Sequence, residues 1–166
     1  HREAFAPNFY PQSGTPYRSA SGQPGASYWQ NAANYKINAS LDTTTQIVKG
    51  DVEINYTNNS PDDLKFVWLY LDQNIYKEDS RGSSTTTQTG GRWANPEFTK
   101  GSVVKNISVT DAANKTSTPE YIITDTRMQV WLPQTLKAGG GKVKLKMNFE
   151  FTVPQYGTDR MGRLPS

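Results

Sequence analysis

The chain has 166 residues, a formal net charge of +3 and a hydrophobic fraction of 34%. A chain of this length fits one domain and can bury roughly two-thirds of the surface that its unfolded form exposes. No apolar run approaches the ~20 residues that a membrane-spanning helix needs, and no basic cluster of the nucleic-acid-binding kind is present. We therefore expect a folded protein with no membrane span and no nucleic-acid partner.

Side chains typical of catalytic and metal sites are scarce. The sequence contains no cysteine, and its single histidine is His1. Zinc hydrolases normally use two or three histidine ligands, and a serine-type triad needs a histidine base. The carboxylates considered for acid–base work are Asp62 and Asp63, in a predicted turn that favours Asp for backbone reasons, and Glu53, on the wet face of a predicted strand. The sequence thus predicts no catalytic, cofactor-binding or metal-binding residue in this chain.

Residues 1–27 are predicted to form a Pro- and Gly-rich N-terminal arm. Four prolines and three glycines fall within it, with aromatic residues between them. Prolines at this density exclude a helix and an interior strand. We expect an arm whose aromatic residues lie on the domain; the alternative is an arm that binds another chain.

The β domain is placed at residues 28–153 and begins with two alternating strands. Period-two alternation is typical of a strand with one wet face and one buried face. One face of the first strand carries Tyr35, Ile37, Ala39 and Leu41. One face of the second carries Val48, Val52, Ile54 and Tyr56. Turn-forming residues at 58–63 end the second strand.

Residues 64–71 are apolar on both faces, which is typical of a strand covered on both sides. The sequence therefore predicts a hairpin in which the strand before the 58–63 turn is the outer strand and residues 64–71 are the interior strand. Trp68 is expected in the core, together with Phe149 from a later strand.

A long polar loop is predicted at residues 77–101, with Trp93 and Phe98 as candidate anchors. A loop of this length without periodicity is unusual in a compact domain and is either functional or mobile. Mobility is the favoured interpretation, because the Ser/Thr run at 83–87 has nothing to bury.

The remaining chain predicts four more strands. They lie at 103–109, 120–124, 127–132 and 142–151, with a hairpin loop at 111–118 and prolines 133 and 154 as strand ends. The glycines at 139–141 are interpreted as a turn, because a phosphate-binding loop would open a helix and end in Lys-Ser or Lys-Thr. About seven strands and no major helix predict an all-β fold, either an antiparallel β-sandwich or a curved, saddle-like sheet.

Strand patterning stops at Val153, and residues 154–166 have no repeating apolar face. In an independent module such a segment would be an ordinary frayed terminus.

Several short motifs occur together between residues 28 and 160. They are Gln30-Asn31-Ala32, Tyr35-Lys36-Ile37, Leu41-Asp42, Tyr56 to Asp62, Trp68-Leu69, Gln73 to Tyr76, Leu132-Pro133, Gly139-Gly140 and the strand to Phe149. With these motifs the chain resembles the N-terminal β domain of the membrane-alanyl-aminopeptidase-like gluzincins, in a bacterial branch.

The resemblance implies that this chain is one domain of a longer polypeptide and that the catalytic residues belong to another domain. In that family the N-terminal β domain covers a thermolysin-like catalytic domain, which supplies the His-Glu-x-x-His helix, a downstream Glu ligand and the zinc. No position of this sequence matches those motifs. The resemblance therefore implies that this chain is not itself an enzyme and that peptide substrate passes near the interface. It also implies that residues 154–166 are an exposed linker toward the catalytic domain, and that Asp159, Arg160 and Arg163 have partners there and none in this chain. For a bacterial member we expect a periplasmic, secreted or cell-envelope location.

The alternative hypothesis is a free-standing β-sandwich binding module of a secreted or surface protein, with a carbohydrate or protein ligand. Exposed Trp and Tyr side chains on such a sandwich can stack on sugars. Trp29, Trp93 and Trp131 are the candidates for that role.

Overall fold

The structure is a computed structural model, and it describes residues 14–85, 97–155, 157 and 161–163. The chain divides into two compact units, residues 1–31 and 32–166. In the described part of the first unit, Arg18 and Pro24 form an isolated β-bridge. The Arg18 guanidinium lies 5.0 Å from the centre of the Tyr28 ring, a distance at which a cation is attracted to an aromatic face. Residues 1–13 of the predicted arm lie outside the described residues.

The second unit is built of strands, which confirms the all-β class: strands make up 51% of the structure and helices 7%. In chain order the elements are β1 (Ala32–Asp42), β2 (Ile47–Asn58), β3 (Leu64–Tyr70), a 3₁₀ helix (Asp72–Tyr76), α1 (Arg81–Thr85), β4 (Val103–Thr110), β5 (Thr116–Ser117), β6 (Tyr121–Thr124), β7 (Arg127–Leu136) and β8 (Gly141–Thr152).

Five of the strands form one antiparallel sheet in the order β1-β2-β8-β4-β5. The strand β2 pairs with β1 on one side and with β8 on the other, each along its full length. The register places Tyr35 opposite Ile54 and Ile54 opposite Leu145. Since directly opposed residues share a face, the apolar residues that the sequence assigns to each strand form one continuous apolar sheet face.

The other three strands form a second antiparallel sheet in the order β3-β7-β6. The predicted hairpin between residues 47–56 and 64–71 is therefore wrong, because β2 and β3 lie in different sheets. The predicted roles are also reversed. The strand β2 is interior, whereas β3 is an edge strand that pairs only with β7.

The turn between β2 and β3 explains why the chain leaves the first sheet. The buried Asn58 side chain donates to the carbonyl oxygens of Asp62 at 2.8 Å and Lys137 at 3.1 Å. Its Oδ1 accepts from the Ser60 hydroxyl at 2.6 Å and from the Ser60 amide. The 58–63 turn is thus bound to the end of β7, which directs β3 alongside β7 rather than back along β2.

The turn at 139–141 completes this arrangement. Gly139 and Gly140 have φ angles of +65° and +114°, a region open to glycine at little cost. Their amides donate to the carbonyl oxygens of Ser60 and Asn58. A turn joining two strands is what the sequence predicted for these glycines.

The hydrophobic core lies between the two sheets. Its centre is Met128 and Val130 of β7, both 0% exposed, against Leu145 and Val109, both 1% exposed. Around them lie Ile54, Val67, Leu71, Ile107, Leu136, Val143 and Met147. Period-two alternation in the sequence predicts an inward face for β7 and β8. Met128, Val130, Val143, Leu145 and Met147 are buried as this pattern predicts, whereas Phe149 and Phe151 of β8 are only half-buried.

The strand β7 continues past Pro133 to Leu136, so the prediction that Pro133 ends it is wrong. The pairing with β3 shifts register between Leu64 and Phe66, whose partners are Leu136 and Trp131. An irregularity of this kind accommodates proline, since a bulge has residues that donate no ladder hydrogen bond.

Of the predicted 77–101 loop, the structure describes residues 77–85, which include α1, and residues 97–101. Asn74, immediately before it, is buried; its amide donates to the Asp125 carbonyl oxygen at 2.7 Å and its Oδ1 accepts from the Ser102 amide at 2.8 Å. These bonds hold both ends of the loop against the β6–β7 turn. Phe98 is half-buried, whereas Trp93 lies in residues 86–96, outside the described residues.

Candidate functional site

The apolar face of the five-stranded sheet is only partly covered by the second sheet. On β1 the side chains of Tyr35, Ile37 and Leu41 are 60%, 57% and 57% exposed. The neighbouring residues Phe149 and Phe151 of β8 are half-buried, and this corrects the prediction that Phe149 belongs to the core. The sheet face therefore has a covered half, which is the core, and an open half.

The open half and the edge of β3 together form a depression of about 420 Å³, here called the apolar trough. Its floor consists of side chains of β1, β2, β4 and β8, and its wall consists of β3 and the start of the 3₁₀ helix. The lining residues that matter below are Tyr35, Ile37, Val52, Trp68, Gln73 and Phe149. Concave, mostly apolar surfaces with a few polar groups are where proteins bind ligands and partners.

One polar group in the trough lacks an internal partner. The Oε1 atom of Gln73 is buried and accepts no hydrogen bond within the described part of the chain. Asp72 and Ser102 lie beside it along the same lining. A buried acceptor without a donor is costly, and together with Asp72 and Ser102 the Gln73 amide makes this end of the trough polar.

A second exposed surface lies on the opposite side of the three-stranded sheet. Phe66, Trp68 and Tyr70 alternate along β3, and Trp131 is opposite Phe66 on β7. With Ile122 of β6, which shares their side of the sheet, these residues form what we call the outer aromatic face. All five are exposed, and the Phe66 and Trp68 rings meet edge to face with centres 6.1 Å apart. Trp68 and Tyr70 lie on the edge strand and also border the apolar trough, whereas Phe66, Ile122 and Trp131 do not line it.

The prediction that Trp68 is core is therefore wrong, since the side chain is 52% exposed. Apolar residues on both sides of β3 suggested burial on both sides. Only the Val67 side packs into the core. Trp131 is 38% exposed on the same outer face and keeps the open role assigned to it, whereas Trp29 belongs to the first unit.

The candidate acid–base carboxylates do not converge. Glu53, on the polar face of β2, is held by Lys146 Nζ at 2.9 Å and Lys144 Nζ at 3.7 Å. Asp63 is held by Lys137 Nζ at 2.8 Å and by the Ala138 amide at 2.8 Å. Asp62 is exposed in the 58–63 turn. Lys144 and Lys146 of β8 accordingly lie on the polar face of the sheet.

The charges around these carboxylates keep them ionised. Hydrogen bonds from Lys146 and then Asn55 lower the pKa of Glu53 from its ordinary 4.5 to about 2. The Lys137 ammonium and the Ala138 amide lower the pKa of Asp63. A general acid or base that works near neutral pH needs the opposite shift, toward 7, so both groups are suited to ion pairing.

Zinc does not fit the residues that the structure describes. Among them, no group of three or more His, Cys, Asp or Glu side chains is close enough to hold a metal ion. Nor does any helix within the described ranges have the length and apolar character to cross a membrane.

The C-terminal segment differs from its prediction. Arg163 was expected to lack partners in this chain, but its guanidinium forms an ion pair with Glu97 at 2.7 Å and donates to Gln46. The second oxygen of Glu97 accepts from the Gln155 amide. Glu97 therefore ties residues 155 and 163 to the domain. Asp159 and Arg160 lie outside the described residues.

Compared with known proteins, the chain matches no family model, and no curated protein matches it either. The fold and the surfaces define an all-β domain whose large sheet presents a half-open apolar face. The expected family remains a prediction from the sequence motifs.

Proposed function

We propose that this chain is the non-catalytic N-terminal β domain of a zinc-dependent aminopeptidase-like metallopeptidase, where it covers and shapes the peptide cleft of the catalytic domain. The observation that carries the proposal is the apolar trough, a half-open face on the largest sheet of the domain. In this proposal zinc and the hydrolytic chemistry belong to the parent polypeptide, which is bacterial and periplasmic, secreted or attached to the cell envelope.

Energetics support a partner on this face. Tyr35, Ile37 and Leu41 each expose more than half of their surface. Fully burying a large apolar side chain is worth about 1.5–3 kcal/mol, so covering the exposed halves of these three would contribute roughly 1 kcal/mol each. Contiguous apolar patches of this kind mark sites of association, and Asp72 and Gln73 make one end of the trough polar.

The gene provides the first test. Under the proposal it continues past Ser166 into a segment that encodes His-Glu-x-x-His within the next few hundred residues. An uninterrupted reading frame of that length without the motif would contradict it.

Reassembly in trans provides the second test. We expect the separately produced catalytic segment to bind this chain, and Ile37→Asp to abolish binding because it places a charge in the trough. Ile122→Asp is the matched control. Ile122 is also an isoleucine on an edge strand, with 52% of its surface exposed against 57% for Ile37, but it lies on the outer aromatic face. Equal loss in both variants, or no binding of the unaltered chain, would refute the trough as the contact surface.

A second candidate function is favoured by the outer aromatic face. Exposed Phe66, Trp68, Tyr70 and Trp131 would give a free-standing β-sandwich module rings on which sugars or a protein ligand stack. Affinity electrophoresis in soluble polysaccharides separates the two functions. Retardation of the unaltered chain that Trp131→Ala removes and Ile37→Asp leaves intact would favour the binding module, because Trp131 does not line the trough.

A further inference from the structure

The strand β1 has a long, open hydrogen-bonding edge. It is the outermost strand of the five-stranded sheet, and all eleven of its residues are exposed. No backbone hydrogen bond is found between its free edge and another described segment. By contrast, the opposite edge strand β5 has only two residues, and the edge strand β6 of the other sheet has four.

Native proteins usually blunt edge strands by shortening them, by charged side chains, by proline or by a bulge. The strand β1 is eleven residues long, contains no proline and pairs regularly with β2 over all eleven residues; Lys36 is its one lysine. Such an edge is a template for a further antiparallel strand.

The charges on β1 identify the partner strand. Its polar face carries one cation, Lys36, near the middle of the strand, and one anion, Asp42, at its C-terminal end. Lys36 has no ion pair within the described residues, because its cross-strand neighbour Glu53 is already engaged by Lys144 and Lys146. The Asp42 carboxylate accepts hydrogen bonds from the amides of Thr44 and Thr45 and from the Thr45 side chain, and it forms no ion pair within the described residues.

We propose that β1 pairs with β1 of a second copy of this chain, antiparallel about a twofold axis at Ala39. This register places Lys36 of each copy opposite Asp42 of the other, and Ile37 opposite Leu41. Directly opposed residues share a face of the sheet, so the apolar face of one copy continues into that of the other.

Neighbouring registers lack this charge complementarity. An axis at Ile37 sets Lys36 opposite Asn38, and an axis at Asn38 sets it opposite Ser40. An axis at Lys36 itself opposes the two lysines, which is destabilising. Only the axis at Ala39 joins both ends of the pairing by opposite charges. The contact is isologous, so it closes at two copies. It uses the backbone edge and is independent of the proposed function.

The first experiment measures the molar mass in solution by sedimentation equilibrium, for the unaltered chain and for charge-reversed variants. Concentrations reach about 1 mM, so that weak association is detected. We expect dimers of twice the 18.5 kDa chain mass. Lys36→Asp and Asp42→Lys should each weaken self-association about tenfold or more, because like charges then face each other. Mixing the two variants, or combining both substitutions in one chain, should restore it. A chain that stays monomeric throughout would overturn the proposal, as would charge reversals without effect.

The second experiment fixes the register. The chain has no cysteine, so any disulfide between two copies must join the single cysteine introduced into each. Opposed residues of antiparallel strands have Cα atoms about 4.5–5.5 Å apart, within the disulfide range of about 4.4–6.8 Å. Ala39→Cys should cross-link two copies under mild oxidation, whereas Ala33→Cys, on the same exposed face and far from the axis, should not. Faster cross-linking by Ile37→Cys or Asn38→Cys would overturn the Lys36–Asp42 register. This readout is independent of any change that the charge reversals cause in the 42–45 turn.

Discussion

The three-stranded sheet has one face in the core and one exposed face, and this predicts different costs for truncating Met128, on the core face, and Trp68, on the exposed face. Met128 is 0% exposed between the sheets, and Met→Ala at such a site costs about 2–5 kcal/mol. Trp68 is 52% exposed, so about half of the ~1.5–3 kcal/mol that burial of a large apolar side chain supplies is at stake. We therefore expect Met128→Ala to cost about 3 kcal/mol and Trp68→Ala about 1 kcal/mol.

Urea unfolding followed by circular dichroism measures both costs, provided that the slope m is unchanged. In a chain of this size 1 kcal/mol shifts Tm by about 2–4 °C, so Met128→Ala should lower Tm by about 6–12 °C. Tyr70→Ala, at 72% exposure on the same outer face, is the matched control and should cost less than Trp68→Ala. If Trp68 were core, its truncation would cost about 3–5 kcal/mol. A loss at Trp68 equal to or greater than the loss at Met128 would refute the sheet assignment.

Three other substitutions test individual contacts. Asn58→Ala should cost about 2–4 kcal/mol in urea unfolding, because it leaves buried carbonyl and amide groups of two turns unpaired; a loss below ~1 kcal/mol would contradict that role. Glu53 has its pKa lowered from 4.5 to about 2 by Lys146 and Asn55, so its ion pairs stabilise the fold fully above pH 4.5 and are lost as the pH falls through about 2. Glu53→Gln should therefore differ from the unaltered chain above pH 4.5 and converge with it near pH 2, and a constant difference would exclude this cause. Glu97→Gln should speed hydrogen exchange at the amide of Arg163, and unchanged exchange would show that Glu97 does not hold the C-terminal segment.

Much of the strand content was predictable from the sequence. Alternation gave the correct facing residues on β1, β2 and β8, because each has one polar and one apolar side. The turn glycines at 139–140 were also predicted correctly, since a strand rather than a helix follows them. These features depend on local geometry, which the sequence encodes directly.

Pairing partners and exposure were not predictable in the same way. Whether β3 turns back along β2 or joins β7 depends on bonds from Asn58 to residue 137, which are distant in sequence. Apolar residues on both sides of β3 look the same whether the second side meets protein or solvent. The trough was not predictable for a similar reason. Alternation shows that Tyr35 and Ile37 share a face, but it gives no information about how far the second sheet extends over that face.

The position of β8 in the five-stranded sheet has a consequence for biosynthesis. The last of the eight strands lies between β2 and β4, and Asn58 pairs with Gly141. At about 5–20 residues per second, the intervening ~80 residues take roughly 4–16 s to translate. Throughout that interval the β1–β2 hairpin has an unpaired edge and an uncovered apolar face, which are the features that promote aggregation of nascent chains. We expect ribosome-bound chains that stop before residue 141 to be held by chaperones, and release to follow once β8 has left the ribosome.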